Sequence, residues 1–140
     1  MPRILIAGCG YVGEAAADLF HAAGWTVEAW TRSTESAASL AAKAYPVRGV
    51  DISKCAEVAQ SALAAAGVDA VIHCASSRGG DAGIYRQLYL NGARNLLDIF
   101  PKSKTLFTSS TSVYAQRDGA LRMCSWDLLG NNGIERAQQV

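Results

Sequence analysis

The sequence predicts an α/β protein built on a doubly wound parallel sheet of about five strands. Three observations lead there. Short apolar runs alternate with longer Ala-rich stretches, the pattern of repeated βαβ units. The first apolar run, Ile4-Leu5-Ile6-Ala7, passes directly into Gly8-Cys9-Gly10-Tyr11-Val12-Gly13 and then into an amphipathic stretch. The run Ala70-Val71-Ile72-His73-Cys74-Ala75 is nearly all apolar, as a strand covered on both faces should be.

Each element has its own signal. Residues 3–7 read as the first strand. Residues 11–22 carry Val12, Ala16, Leu19 and Phe20 at helical spacing, and Gly24 supplies the stop. Residues 26–31 make a second strand, residues 33–45 a second helix opening on a Ser/Thr cap, and residues 46–50 a short third strand. Ser53 is the expected N-cap, with Glu57 close behind, of a helix reaching residue 66. After the fourth strand at 70–75, residues 84–100 form the longest helix, with Leu88, Gly92, Leu96 and Phe100 down one side. Pro101 and Ser103 end it, and residues 105–108 are the fifth strand. Right-handed crossovers then order the strands 3-2-1-4-5 and open a crevice at the C-terminal ends of strands one and four. Residues 1–115 are the expected domain. Residues 116–140 form an irregular tail, with turn signals at Asp118-Gly119 and 130–133 and one short helix at 134–139.

Composition narrows the function classes. The chain has 140 residues, half of them apolar, 18 % charged, with a formal net charge of +1. Such a chain can bury one core and does not read as disordered. It has no Lys/Arg cluster, so the reading excludes a nucleic-acid partner. Its apolar runs are too short for a transmembrane helix, and Gly8 and Gly10 break the first run too early for a signal peptide. The expected compartment is the cytoplasm. Cys9, Cys55, Cys74 and Cys124 form no CxxC pair and no metal-ligand spacing, and His21 and His73 lie far apart. No metal site and no disulfide scaffold are expected. The fifth strand is an expected open edge, and open edges invite self-association into a homo-oligomer.

The glycine turn carries the chemistry. Strand, G-x-G-x-x-G and helix in direct succession form the fingerprint of a dinucleotide-binding, Rossmann-type unit. In that fingerprint Gly8 makes the tight turn, Gly10 lets the backbone approach the pyrophosphate, and Gly13 lets helix and strand pack closely. The N–H groups of Tyr11 and Val12 at the helix start, with the positive end of the helix dipole, face the anion. The second strand ends Ala29-Trp30-Thr31-Arg32, with none of the acids that NAD-selective sites place there. The guanidinium of Arg32, beside Thr31, is placed instead to pair with the 2′-phosphate of NADP, and the hydroxyls of Ser33 and Thr34 are further donors. NADP is therefore the expected cofactor, with NAD as the alternative.

Five segments recur in order: the glycine turn; Gly49-Val50-Asp51-Ile52 after strand three; Val71-Ile72-His73-Cys74-Ala75-Ser76 ending strand four; Leu90-Asn91-Gly92-Ala93-Arg94-Asn95-Leu96-Leu97 in the long helix; and Phe107-Thr108-Ser109-Ser110-Thr111-Ser112-Val113-Tyr114 after strand five. Together they resemble the N-terminal half of the extended short-chain dehydrogenase/reductases, the NAD-dependent epimerase/dehydratase group. The resemblance implies that Asp51, beside Ile52, contacts the adenine amino group. It implies that the backbone of Cys74, Ala75 and Ser76 lines the ribose sites. It also implies that Ser110 is the catalytic serine, bonded to the substrate oxygen during hydride transfer. The family's acid–base pair is Tyr-x-x-x-Lys on the next helix. None of Tyr11, Tyr45, Tyr85, Tyr89 or Tyr114 has a lysine four residues on. Tyr89 stands where many members of the group carry a cofactor-contacting asparagine.

The resemblance therefore points to an atypical member that keeps the dinucleotide site. It further implies a C-terminal half, with the last strands and the small-molecule substrate pocket, which these 140 residues do not include. The expected function is that of an NAD(P)-binding protein of the oxidoreductase type, probed against two others: a non-catalytic dinucleotide-binding or redox-sensing module, and an inert fragment.

Overall fold

The computed structural model describes residues 1–109, of which Met1–Thr108 form a compact unit. Ser110 and the tail at 116–140, with its expected helix, lie outside the described residues. Five parallel strands follow the order β3-β2-β1-β4-β5: β1 (Arg3–Ala7), β2 (Thr26–Thr31), β3 (Val47–Gly49), β4 (Ala70–His73) and β5 (Lys104–Phe107). The doubly wound order expected from the alternating pattern is the one observed. Ile4 of β1 stands beside Val27 of β2 on one side and Ala70 of β4 on the other, and Ala7 stands beside Trp30 and His73. The C-terminal ends of the three central strands thus lie level, and the sheet order reverses between β1 and β4.

The period-two alternation of β1 divides the core. Ile4 and Ile6 face helix α1 (Tyr11–Ala22), packing with Ala17, Val27, Ala29 and Ile72. Leu5 and Ala7 face the opposite side with Trp30, Val58, Val71, Leu96 and Phe100. Both clusters are almost wholly buried, which is why the strands read as continuous apolar runs.

Helix α2 (Thr34–Ser39) is shorter than the expected 33–45. Ser33 caps it as expected, its Oγ accepting from the Ser36 N–H at 3.2 Å. Past Ser39 the backbone winds through three-residue turns instead. Two forces stop the helix. Pro46 excludes helical geometry at Tyr45. Lys43 is drawn to α1, where its Nζ lies 2.7 Å from Glu14 and 2.8 Å from Asp18, while the Tyr45 hydroxyl donates to Asp18 at 2.7 Å.

Helix α3 (Cys55–Ala62) also departs from expectation: its N-cap is Lys54, not Ser53. The Ser53 hydroxyl turns back into the loop, donating to Asp51 Oδ1 at 2.6 Å, and no side chain caps α3.

The long helix begins earlier than expected. Asp81 caps it, accepting from the Ile84 N–H at 2.9 Å, and it runs as α4 (Ala82–Tyr85), a π-helical segment (Arg86–Asn91) and α5 (Gly92–Ile99). Its backbone stays right-handed helical through both junctions, so the three pieces form one rod. Gly92 lets that rod approach the sheet, since a Cβ there would meet Ile52 Cδ1 at 3.0 Å and His73 Nε2 at 3.4 Å. No helix among the described residues is long and apolar enough to cross a membrane.

Candidate functional site

The three glycines of the turn meet three different surroundings. Gly8 has φ +103°, and a Cβ on it would stand 2.2 Å from the backbone nitrogen of Ala75, so the turn lies directly against the end of β4. A Cβ on Gly13 would stand 2.1 Å from the Gly8 carbonyl oxygen and 3.2 Å from Ile6, which fixes the close approach of α1 to β1. A Cβ on Gly10 would meet none of the described residues within 4 Å. Gly10 is also the N-cap of α1 and carries no capping side chain, so the first N–H groups of the helix have no side-chain acceptor from it. The side chains of Tyr11 and Val12 are exposed beside it. The Trp30 carbonyl oxygen pins the turn, accepting from the Gly8 N–H at 3.0 Å and the Cys9 N–H at 2.7 Å.

The ends of the neighbouring strands complete a cleft. Gly8, Thr31, Arg32, Asp51, Ile52 and Ala75 line it together, joined by Val50 and Leu88. Thr31 Oγ1 donates to the Ser33 carbonyl at 3.0 Å, holding the bend after β2 that carries Arg32. Arg32 is exposed and makes no ion pair with a described residue. The Ser33 hydroxyl is engaged with Ser36, in both the α2 cap and a side-chain bond at 3.1 Å. Gly49 brings β3 under this bend, because a Cβ on it would stand 2.3 Å from the Thr34 nitrogen.

Asp51 is held on three sides. Its Oδ1 accepts from the Ser53 N–H at 3.0 Å and from the Ser53 hydroxyl, its own N–H donates to Glu57 Oε2 at 2.8 Å, and its Oδ2 lies 3.9 Å from Lys54 Nζ. The Ile52 carbonyl accepts from Asn95 Nδ2 at 2.8 Å, tying this loop to the long helix.

On the β4 side the Cys74 N–H donates to the Ala7 carbonyl at 2.8 Å, which extends the pairing one residue past the strand. The Cys74 side chain packs among the apolar residues facing α1, leaving its backbone at the cleft end of the strand. Ser76 is exposed, and its hydroxyl accepts from the Arg78 N–H at 3.3 Å. Burial pushes the thiol of Cys9 up to about 11, with the Glu14 carboxylate adding to the effect, and burial also raises that of Cys74. Among the described residues no group of three His, Cys, Asp or Glu side chains is placed to hold a metal ion.

Sequence reasoning missed Val50, Leu88 and the part played by Glu57. The first two are ordinary apolar residues without a local signal. Glu57 was legible only as an acid in the first turn of a helix, whereas its partner is six residues back.

A model of the NAD-dependent epimerase/dehydratase family matches residues 4–124. The chain belongs to that family. Solved structures share the fold of this family member. The yeast methylglyoxal/isovaleraldehyde reductase complexed with NADPH is 20% identical, with a TM-score of 0.66 over 79% of this chain and 38% of that one. A short-chain dehydrogenase/reductase superfamily protein from Agrobacterium tumefaciens with bound NAD is 21% identical, with a TM-score of 0.66 over 85% of this chain and 36% of that one. UDP-glucose 4-epimerase from Bifidobacterium longum, in complex with NAD+ and UDP, is 20% identical, with a TM-score of 0.61 over 81% and 38%. This family member therefore spans well under half the length of those three proteins. No curated protein matches it in sequence.

Proposed function

We propose that this epimerase/dehydratase family member binds a nicotinamide adenine dinucleotide across the C-terminal ends of β1 and β4, with NADPH preferred over NADH. One observation carries the reading. Gly8 and Gly13 are required by contacts within the fold, while Gly10 faces space open among the described residues, which give it no such reason to lack a side chain. A ligand backbone occupying that space supplies the reason, and the uncapped N-terminus of the twelve-residue α1 suits an anion there. The residues present fit the group: the glycine turn and the N–H groups of Tyr11 and Val12 hold the pyrophosphate. Asp51 and Ile52 take the adenine, and Thr31 and Arg32 the adenosine ribose with its 2′-phosphate. The backbone of Cys74, Ala75 and Ser76 takes the sugar of the nicotinamide. Arg32 is the ground for the NADPH preference, as a guanidinium matches a phosphate bidentately.

When bound, the nicotinamide ring supplies hydride transfer. By the family resemblance Ser110 donates a hydrogen bond to the substrate oxygen. The sequence holds no Tyr-x-x-x-Lys pair, which favours a second reading in which these 140 residues bind dinucleotide without turning substrate over.

Calorimetric titration with NADPH and NADH in parallel, with Gly10→Asp as control, tests the proposal. Saturable binding lost in the variant is expected, and tighter binding of NADPH assigns Arg32 its part. A folded chain that binds neither overturns the reading.

A further inference from the structure

The side chain that would read the adenine is itself positioned, and the chain of contacts is specific. Asp51 Oδ1 is engaged twice by Ser53, at 3.0 Å by the N–H and 2.6 Å by the hydroxyl, which leaves Oδ2 as the oxygen without a hydrogen bond among the described residues. The backbone behind it is fixed by Glu57, whose Oε2 accepts from the Asp51 N–H at 2.8 Å across six residues. The other oxygen of Glu57 is held by Lys54 Nζ at 2.9 Å. Glu57 therefore spans from the Asp51 backbone to a cation, and both of its oxygens are used. Lys54 and the Asp51 N–H together hold the Glu57 carboxyl below the usual glutamate range, so it is an acceptor throughout the neutral range.

We infer that Glu57, held by Lys54, is a positioning residue that aims Asp51 Oδ2 into the cleft and so sets the selectivity of this chain for an adenine-bearing dinucleotide. The inference rests on the proposed dinucleotide site and on Asp51 as its adenine contact. A carboxylate free to rotate must be ordered when an amino donor meets it. With Oδ1 committed to Ser53 and the backbone N–H committed to Glu57, the orientation is set before the ligand arrives, and the ordering cost of binding falls. An oxygen aimed in this way discriminates against a base that offers a carbonyl in place of the amino group, because two acceptors then face each other. Lys54 lies within 3.9 Å of Oδ2, but 61% of its side chain is exposed, and its nearer partner is Glu57.

The experiment compares affinities for NADPH and for its hypoxanthine counterpart, in which an oxo group replaces the adenine amino group. The proteins are the native chain, Glu57→Ala, Glu57→Gln, Asp51→Ala and the double variant Asp51→Ala/Glu57→Ala. The native chain is expected to favour the adenine form about tenfold or more, the size of a hydrogen bond to a charged group. In Glu57→Ala the ratio falls at least about threefold below the native value, the Ser53 bonds to Oδ1 holding the remainder. In Glu57→Gln most of it returns, since the amide oxygen still accepts from the Asp51 N–H. The double variant discriminates no less than Asp51→Ala alone, because Glu57 acts through Asp51.

A Glu57→Ala protein with native circular dichroism and the native ratio overturns the inference and leaves the dinucleotide site standing. A native chain that binds both forms equally also overturns it and also leaves that site standing. A native chain that binds neither form removes both. Should Glu57→Ala not fold, the Asp51 amide proton decides: its resonance moves upfield in Glu57→Gln at neutral pH, and an unmoved resonance overturns the inference.

Discussion

Nε2 of His73, the last residue of β4, lies 3.2 Å from the carbonyl oxygen of Leu88 in the π-helical segment of the long helix. The imidazole is completely buried, with the Phe107 ring centroid 4.8 Å away and Tyr89 stacked at 6.2 Å. Its Nδ1 has no hydrogen-bond partner among the described residues. The neutral tautomer carrying its proton on Nε2 satisfies this arrangement, donating to Leu88 while leaving Nδ1 without a proton to place. The π-helical turn shifts the partners of its carbonyl groups by one residue, and Leu88 finds its additional donor in the sheet. The helix is thereby fastened to β4 at the level where Leu88 enters the cleft.

Stability should therefore fall in mild acid. Burial lowers the His73 pKa, so on acidification the unfolded chain takes up the proton before the folded one does. The stability contributed by the neutral ring is complete above the unfolded pKa and is lost as pH falls through that value toward the folded one. Denaturant titrations from about pH 7 to about pH 5 should show a loss from this group of up to about 1.4 kcal/mol per pH unit. His73→Phe should flatten that dependence. Equal pH slopes in the two proteins would refute the assignment.

The glycines should separate stability from binding. Gly8→Ala and Gly13→Ala each drive a Cβ into backbone, at 2.2 Å and 2.1 Å, and neither backbone atom can turn aside. Each should cost about 2–4 kcal/mol in chemical denaturation, the range for strained or overpacked sites. Gly10→Ala meets none of the described residues and should cost no more than about 1 kcal/mol, the scale of an N-cap change. The same variant should lose dinucleotide affinity by calorimetry. A Gly10→Ala chain that binds NADPH as the native does would argue that the open space serves no ligand.

Arg32 should control the choice of dinucleotide. It is exposed, free of ion pairs to described residues, and lines the cleft beside Thr31. In Arg32→Ser the affinity for NADPH should fall about ten- to hundredfold through loss of charge-assisted bonds, with NADH affinity changed by no more than about threefold. Parallel loss for both dinucleotides would count against a role at the 2′-phosphate.

Cysteine labelling should follow burial. Cys9 is 5% exposed and its thiol is pushed up to about 11, so only about a thousandth of it is thiolate near pH 8. Cys55 is exposed at the start of α3. Limited treatment with iodoacetamide near pH 8, read by peptide mass, should modify Cys55 well before Cys9. Labelling of Cys9 should accelerate as pH rises toward its pKa, and bound NADPH should slow it. Equal rates at the two sites would show that the glycine turn opens readily.

The sequence by itself determined the sheet and the turn. Strand order, the limits of β1, α1 and β2, and the Gly-x-Gly-x-x-Gly spacing were legible because period, glycine placement and chirality are local or nearly local constraints. Where distant residues compete, local reading failed. The second helix stops at Ser39 because Glu14 and Asp18 of α1 attract Lys43 and Tyr45. Ser53, a good N-cap by type, gives its hydroxyl to Asp51 instead. The long helix carries a π-helical turn whose Leu88 carbonyl meets His73, fifteen residues away. The candidate cleft divides in the same way. Gly8, Gly10 and Gly13 announce themselves by spacing, whereas Val50, Leu88 and Glu57 acquire their roles only when β3, the long helix and α3 come together around Asp51. A hydrogen bond or an ion pair goes to the best partner the folded chain brings within reach, and that choice is made in three dimensions.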